Sequence, residues 1–326
     1  MEGPRLLVSI VVPVLNEEDC LPVLHAELCR ACDPLPYDFE FLFVDDGSTD
    51  RTPDVMAKLR GVDPRVRYLV LSRNFGHQAA LCAGLEHAVG DAVISMDGDL
   101  QHPPALIPVL LERFRAGFDV VNTHREKTAE VGWFKGLLSA GFYRFFNWFA
   151  SIRIQPGGAD FRLLSRRVVD VLNRLPEVRR FLRGLIPWLG FPQTVVAFEA
   201  PARHAGVSKY NFAKSLRLAM EGITAFSLNP LRKVAFFGLW IAVASFAYGL
   251  FGIGLHLFTD KTVPGWTSLL ACTLFLGGFQ FIILGIVGEY LGRVLEQVTA
   301  RPRYLVKEEG GERKRAAQDA PMRRAG

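Results

Sequence analysis

The sequence predicts an α/β protein. A doubly wound, mostly parallel sheet fills its first half, helices lying against a membrane surface follow, and a two-helix membrane hairpin comes near the C-terminus. Three observations predict this. Short apolar runs at residues 10–14, 40–45, 66–71, 92–96 and 120–122 alternate with helix-like stretches at 17–31, 52–59, 78–88 and 104–116, and such alternation builds a parallel sheet with helices on both faces. A polar cluster follows each of the first four runs at once: Asn16-Glu17, Asp45 to Asp50, Arg73-Asn74, and Asp97 to Gln101. Finally, residues 234–258 and 266–287 contain no Asp, Glu, Lys or Arg, and each is about long enough to cross a bilayer.

The first run begins in an apolar start that resembles a secretion signal. Pro13 interrupts it, and Asn16-Glu17-Glu18-Asp19 follows without a small-residue cleavage site, so it is read as the first strand. The second run ends in Asp45-Asp46-Gly47-Ser48-Thr49-Asp50. Carboxylates there either meet a ligand or cap the next helix, and Asp50 is assigned to turn chemistry alone. Arg73, after the third run, is a weaker candidate. The fourth run delivers Asp97-Gly98-Asp99-Leu100-Gln101. Side chains repeat with period two in extended chain, so Asp97 and Asp99 point the same way. Two acids so close call for a cation, and oxygen ligands suit Mg²⁺ or Mn²⁺; a solvated acidic turn is the alternative that spacing alone leaves open. Open α/β sheets bind ligands at strand C-terminal ends, so four polar clusters at four such ends point to one crevice. The phosphate loops G-x-x-x-x-G-K-[ST] and G-x-G-x-x-G are absent, which leaves carboxylates and a metal to hold any nucleotide.

Beyond residue 122 the pattern changes. Residues 133–149 carry eight aromatics, with Phe134, Leu138, Phe142, Phe145 and Phe149 on one helical stripe; beside a membrane hairpin this is read as an interface helix. Residues 212–228 place Phe212, Leu216, Ala219, Met220, Ile223 and Phe226 opposite Lys214, Arg217 and Glu221, a second surface helix. Arg232 and Lys233 precede the first apolar window, and Arg293, Arg301 and Arg303 follow the second. The loop between has only Lys261 against Asp260, so the positive-inside rule puts both termini in the cytoplasm. A net charge of +5 suits anionic lipid headgroups, and no basic stripe with interleaved aromatics invites nucleic acid. Five cysteines without a metal-ligand framework fit a reducing compartment; the Cys29-x-x-Cys32 pair falls in a helix and is given no function. From Glu308 the tail is charged, glycine-rich and poor in apolar residues, and is expected to be disordered.

Six motifs stand in register: Val11-Val12-Pro13-Val14-Leu15-Asn16-Glu17, Val44-Asp45-Asp46-Gly47-Ser48-Thr49-Asp50, Ser72-Arg73-Asn74-Phe75-Gly76, Asp97-Gly98-Asp99-Leu100-Gln101-His102-Pro103-Pro104, Gly158-Ala159-Asp160-Phe161-Arg162-Leu163, and Arg203-His204-Ala205-Gly206-Val207-Ser208-Lys209-Tyr210. In this order they resemble the family 2 glycosyltransferases that charge polyprenyl phosphates, the dolichol-phosphate mannose synthase-like group. With the hairpin, the chain is most similar to bacterial two-span members acting on undecaprenyl phosphate.

The resemblance implies a GT-A fold and inverting, metal-dependent transfer from a nucleotide sugar, UDP-linked by preference, to a polyprenyl phosphate at the cytoplasmic face of a bacterial inner membrane. It divides the chain into a nucleotide-sugar and metal-binding core (1–132), an acceptor-side part with interface helices (133–231), the hairpin (232–290) and a cytoplasmic tail (291–326). It implies that Pro13, Asn16, Glu17, Asp45, Asp46 and Asp97 line the donor site and that Asp97, Asp99 and Gln101 hold Mg²⁺ or Mn²⁺. Asp160, with Asp99 and Arg203, serves the reaction, while Arg162, Arg203, Ser208 and Lys209 meet the acceptor and diphosphate. A structural Asp160–Arg162 pair is the plainer alternative. His77 departs from the residues expected in its loop and is given no role. The partners are donor, lipid acceptor and membrane, with room for a homo-oligomer. Two other functions are weighed. A processive polysaccharide synthase would carry Gln-x-x-Arg-Trp and more spans, both absent; an inactive membrane-tethered binding subunit would not need the full set of acids.

Overall fold

The computed structural model describes residues 5–125, 158–177, 180–198 and 265–311, with scattered positions between 236 and 258. The chain forms two compact units: Met1–Trp133 with Ile154–Lys209 and Pro302–Gly326, and Phe134–Arg153 with Tyr210–Arg301. The predicted surface helices at 133–149 and 212–228 lie outside the described residues, as do Arg203, Ser208 and Lys209.

In the first unit, strands β1 (Leu7–Val14), β2 (Asp38–Asp45), β3 (Val66–Leu71) and β4 (Ala92–Ser95) alternate with helices α1 (Cys20–Cys32), α2 (Thr52–Val62) and α3 (His77–His87). A 3₁₀ turn, Pro104–Leu106, leads into α4 (Ile107–Arg115), then β5 (Val120–Arg125). The first four of the five expected strands form a parallel set, in the order β4-β1-β2-β3. Their near-continuous apolar runs reflect burial on both faces. Ile10, Val12, Phe41 and Phe43 pack with Leu21, Leu24 and Leu28 of α1, Met56 of α2 and Leu110 of α4. On the other face α3 lies so close to β1 that a Cβ on Gly84 would stand 2.1 Å from Val11 Cγ1.

The sheet departs from the expected simple series at β5. A strand not foreseen as such, β6 (Gly158–Ser165), sits between β4 and β5 and runs antiparallel to both. Helices α5 (Arg166–Arg174) and α6 (Leu182–Trp188) follow it, and β7 (Gln193–Phe198) pairs parallel with β5. The described residues from Gly158 to Phe198 therefore fold with the N-terminal core.

The tail needs correction as well. Val306–Gly310 form β8, antiparallel to β3, so Glu308, Glu309 and Gly310 are ordered; residues 312–326 lie outside the described ones. The open edge of β3 supplies backbone partners that composition could not reveal. Arg67 of β3, 4% exposed, binds Glu40 of β2 and Glu309 of β8, and Tyr68 donates to Glu308.

In the second unit the long helix α7 (Trp266–Thr299) contains, at Phe275–Thr299, the one helix among the described residues long and apolar enough to cross a membrane. Its 34 residues span about 50 Å, against about 30 Å of hydrocarbon. Within the first apolar window the described positions, Trp240 and Ile241 among them, are helical, and the rest lies outside the described residues.

Candidate active site

The ends of β1, β2 and β4 converge because β1 lies between the other two, the place where an open α/β sheet reverses strand order and forms its crevice. Glycines allow the loops to touch. Gly47 has φ +75°, and a Cβ there would stand 2.5 Å from the carbonyl carbon of Arg73. Gly98 brings its turn against β1, where a Cβ would lie 2.9 Å from Val14 Cγ1.

The acids after β2 hold these loops. Asp45 is fully buried and accepts from the Ser48 N–H at 3.1 Å and from the Ser48 hydroxyl. Asp46 accepts from the Phe75 N–H at 2.7 Å and the Gly76 N–H at 2.9 Å. Burial raises both carboxyls, against the lowering pull of these hydrogen bonds. Asn16, in the left-handed region at φ 57°, accepts from the Thr49 N–H at 2.8 Å, and the Glu17 N–H donates to Thr52 Oγ1. Asp50 accepts from the Thr52 N–H at 3.0 Å, the turn chemistry assigned to it. Arg73 stacks over Phe75 at 4.2 Å.

The Asp97–Gln101 turn is shaped from beneath. The Asp97 N–H donates to Nδ1 of His102 at 2.8 Å, which leaves the proton of the neutral ring on Nε2. His102 is buried, stacked on Phe161 at 5.2 Å and edge-on to Phe198; burial lowers its pKa despite the nearby acids. Leu100 takes φ 61° with its side chain buried, a strained conformation that the core enforces. The Gln101 N–H donates to Asp99 Oδ1. Asp97 Oδ1 is buried and accepts no hydrogen bond among the described residues; His77 Nε2 stands 3.4 Å away. A buried carboxylate oxygen left without a donor, beside a second acid and an amide side chain, fits an oxygen-preferring divalent ion.

Asp160 enters from β6. Ser95 pairs with Arg162, so continuing that register two residues beyond β4 sets Asp97 opposite Asp160. The Ser95 hydroxyl fixes the junction by donating to the Asp160 carbonyl at 2.6 Å. The Asp160 carboxylate is 5% exposed. Arg162 donates to Oδ1 at 2.8 Å, Arg183 of α6 to Oδ1 at 3.1 Å and Oδ2 at 2.9 Å, and Gln78 of α3 to Oδ2 at 3.4 Å, with His77 Nε2 at 3.6 Å. Burial would raise this carboxyl, but His77, Arg162 and Arg183 outweigh it and hold it far below the usual carboxylate range. His77 is shifted upward, Asp160 and Asp97 overcoming its burial. The Asp160–Arg162 pair, the plainer alternative to an acceptor contact, is thus formed, and Arg162 is buried at 4% exposure.

The family model for glycosyl transferase family 2 matches residues 9–172, a stretch that includes every one of these acids. Over 96% of its length the chain is 41% identical to an uncharacterized glycosyltransferase, YkcC, of Bacillus subtilis strain 168, covering 98% of that protein. It is also 42% identical to the SfII prophage-derived bactoprenol glucosyl transferase of Shigella flexneri, across 92% of this chain and 97% of that one. The chain belongs to glycosyltransferase family 2. Among solved structures it is similar to glucosyl-3-phosphoglycerate synthase from Mycobacterium tuberculosis, in complex with Mn²⁺, UDP and phosphoglyceric acid. That likeness has a TM-score of 0.47 at 20% identity and covers 67% of this chain and 76% of that one.

The sheet brings Pro13, Asn16, Glu17, Asp45, Asp46, Asp97, Asp99 and Gln101 to neighbouring strand ends, with Asp160 and Arg162 on the strand beside β4. Sequence reasoning missed His102 and Arg183. His102 stood inside a quoted motif but showed no role, because its ring acts on a backbone N–H; Arg183 had no signal. Elsewhere His25, Cys29 and Asp63 converge within 4.8 Å. The Arg65 guanidinium, bonded to Asp63, Asp33 and Cys29, is the cation of that cluster. All five cysteines are free.

Proposed function

We propose that this chain transfers glucose from UDP-glucose to undecaprenyl phosphate, with inversion, at the cytoplasmic face of a bacterial plasma membrane. The observation that carries the reading is 42% identity across nine-tenths of the chain to a bactoprenol glucosyl transferase. The crevice geometry supports it, since donor-side acids and Asp160 face each other at adjacent strand ends. UDP rests on the resemblance to two-span bacterial members.

In this reading the nucleoside lies over Pro13, Asn16 and Glu17. Asp45 and Asp46 shape its pocket by holding the Ser48 and Phe75–Gly76 loops, and offer their remaining lone pairs to base and ribose. Asp97, Asp99 and Gln101 hold Mg²⁺ or Mn²⁺, which when bound offsets charge on the departing diphosphate. His102 orients Asp97 through its backbone. A phosphate monoester has a second pKa near 6, so the acceptor oxygen is already largely ionised at neutral pH and a general base is superfluous. Asp160, kept ionised by two guanidinium groups, orients the sugar or acceptor and stabilises positive charge growing at the anomeric carbon. Arg162 acts through Asp160. Arg203, Ser208 and Lys209 meet the phosphates, where a guanidinium fork and an ammonium point charge suit them.

The test uses the full chain in nanodiscs with UDP-glucose, undecaprenyl phosphate and either metal. UDP and glucosyl-lipid should form in equal amounts, and Asp160→Asn should lower kcat about 100-fold or more, the scale of losing an electrostatic transition-state contact. UDP-glucose hydrolysis without lipid product, or no lipid product from any nucleotide sugar, would overturn the reading.

A further inference from the structure

Asp160 is gripped by more cation than one carboxylate requires. Arg162 lies on the same strand and donates to Oδ1 at 2.8 Å, a bond to one oxygen that by itself leaves the carboxylate plane able to turn. Arg183 comes from α6, whose Leu182, Leu185 and Ile186 are buried, so its backbone is anchored in the core. Its side chain is 34% exposed. Its guanidinium meets Asp160 as a fork, Nε on Oδ1 at 3.1 Å and the terminal nitrogen on Oδ2 at 2.9 Å. Two parallel N–H···O bonds fix the orientation of a carboxylate as well as its position. The Gln78 contact, at 3.4 Å, is too long to do this.

We propose that Arg183 is a positioning residue for the transfer reaction, setting the plane in which Asp160 faces the reacting sugar. This rests on the role given to Asp160 above. A lysine would keep the charge but lose the fork, and a misplacement on the ångström scale costs about 100-fold in rate.

Wild type, R183K, R183A, D160N and D160N/R183A are compared in nanodiscs with UDP-glucose and undecaprenyl phosphate, with kcat, both KM values and thermal midpoints measured. R183K should lose about 10–100-fold in kcat while both KM values stay within about threefold. R183A should lose more and recover in part with added methylguanidinium. The double variant should fall no further than D160N, as expected when one residue acts through another. Multiplying losses, or a defect confined to KM, would overturn the proposal and make Arg183 a phosphate contact. Full activity in D160N would remove the Asp160 role and this one together, whereas an inactive D160N beside a fully active R183A or R183K would remove Arg183 alone. R183K keeps the charge at this position, so the comparison stands even where R183A does not fold.

Discussion

At the scale of residues, the site works by committing polar atoms in advance. His102 gives up its Nδ1 lone pair to the Asp97 N–H, and Asp97 Oδ1 accepts no hydrogen bond among the described residues, His77 Nε2 standing 3.4 Å away. An unsatisfied buried oxygen is costly, so it should recover that cost by binding a cation. Chelation by EDTA should abolish activity and Mn²⁺ should restore it. Asp97→Asn should weaken Mn²⁺ binding by about tenfold or more, the scale of about 1.4 kcal/mol, read by electron paramagnetic resonance without donor; unchanged affinity would remove Asp97 from the ligand set. A second prediction concerns pH. Burial pushes the Asp63 carboxyl up, but hydrogen bonds from Arg65 and His25 outweigh it and bring it down to about 2. A folded pKa below the unfolded value of about 3.9 stabilises the fold above that value, and the contribution fades as pH falls from about 4 to about 2. Thermal midpoints should therefore drop across that window, and Asp63→Asn, less stable at neutral pH, should show a shallower drop.

Elements carry the site through their neighbours. Helix α3 presents His77 and Gln78 at its N-terminal end, while Glu86 near its other end binds Arg180, Arg303 and Tyr304. Tyr304 also packs edge-on to His87. The segment leading into β8 thus pins the helix that borders the crevice. Tyr304→Phe, which removes a hydrogen bond to a charged group, should cost about 1.5–3 kcal/mol in denaturant unfolding of the full chain. Gly84→Ala tests the other side of α3. Alanine favours helices by up to about 1 kcal/mol, yet its Cβ would stand 2.1 Å from Val11 Cγ1, so overpacking should prevail and the variant should be less stable. Arg67 of β3 bridges Glu40 and Glu309; removing it strands a buried carboxylate, and Arg67→Ala should cost about 3–5 kcal/mol.

For the whole molecule, β8 brings the chain back to the catalytic unit after the long apolar helix. It follows α7 in the chain yet pairs with β3 in that unit. If α7 crosses a bilayer, β7 and β8 lying in one sheet require an even number of crossings between Phe198 and Val306. The full chain should stay with membranes after carbonate washing and leave them only in detergent. Reporters fused at the N- and C-termini should therefore report the same side of the membrane, and signals from opposite sides would refute the even crossing.

The alternating elements, the four parallel strands and the acids at their ends were legible in the chain, because burial on both faces writes itself as apolar runs and ligand chemistry collects at strand ends. The apolar stretch of α7 was legible for a similar reason: a helix able to cross a bilayer needs length without charge. Only the tertiary structure decided the rest. The antiparallel insertion of β6 places Asp160 opposite Asp97, and pairing between strands distant in sequence leaves no local periodicity to read. Glu308 to Gly310 looked disordered by composition, but an open sheet edge orders them through backbone hydrogen bonds, which composition does not encode. Arg183 and His102 act on a carboxylate and a backbone N–H that the fold alone brings within reach.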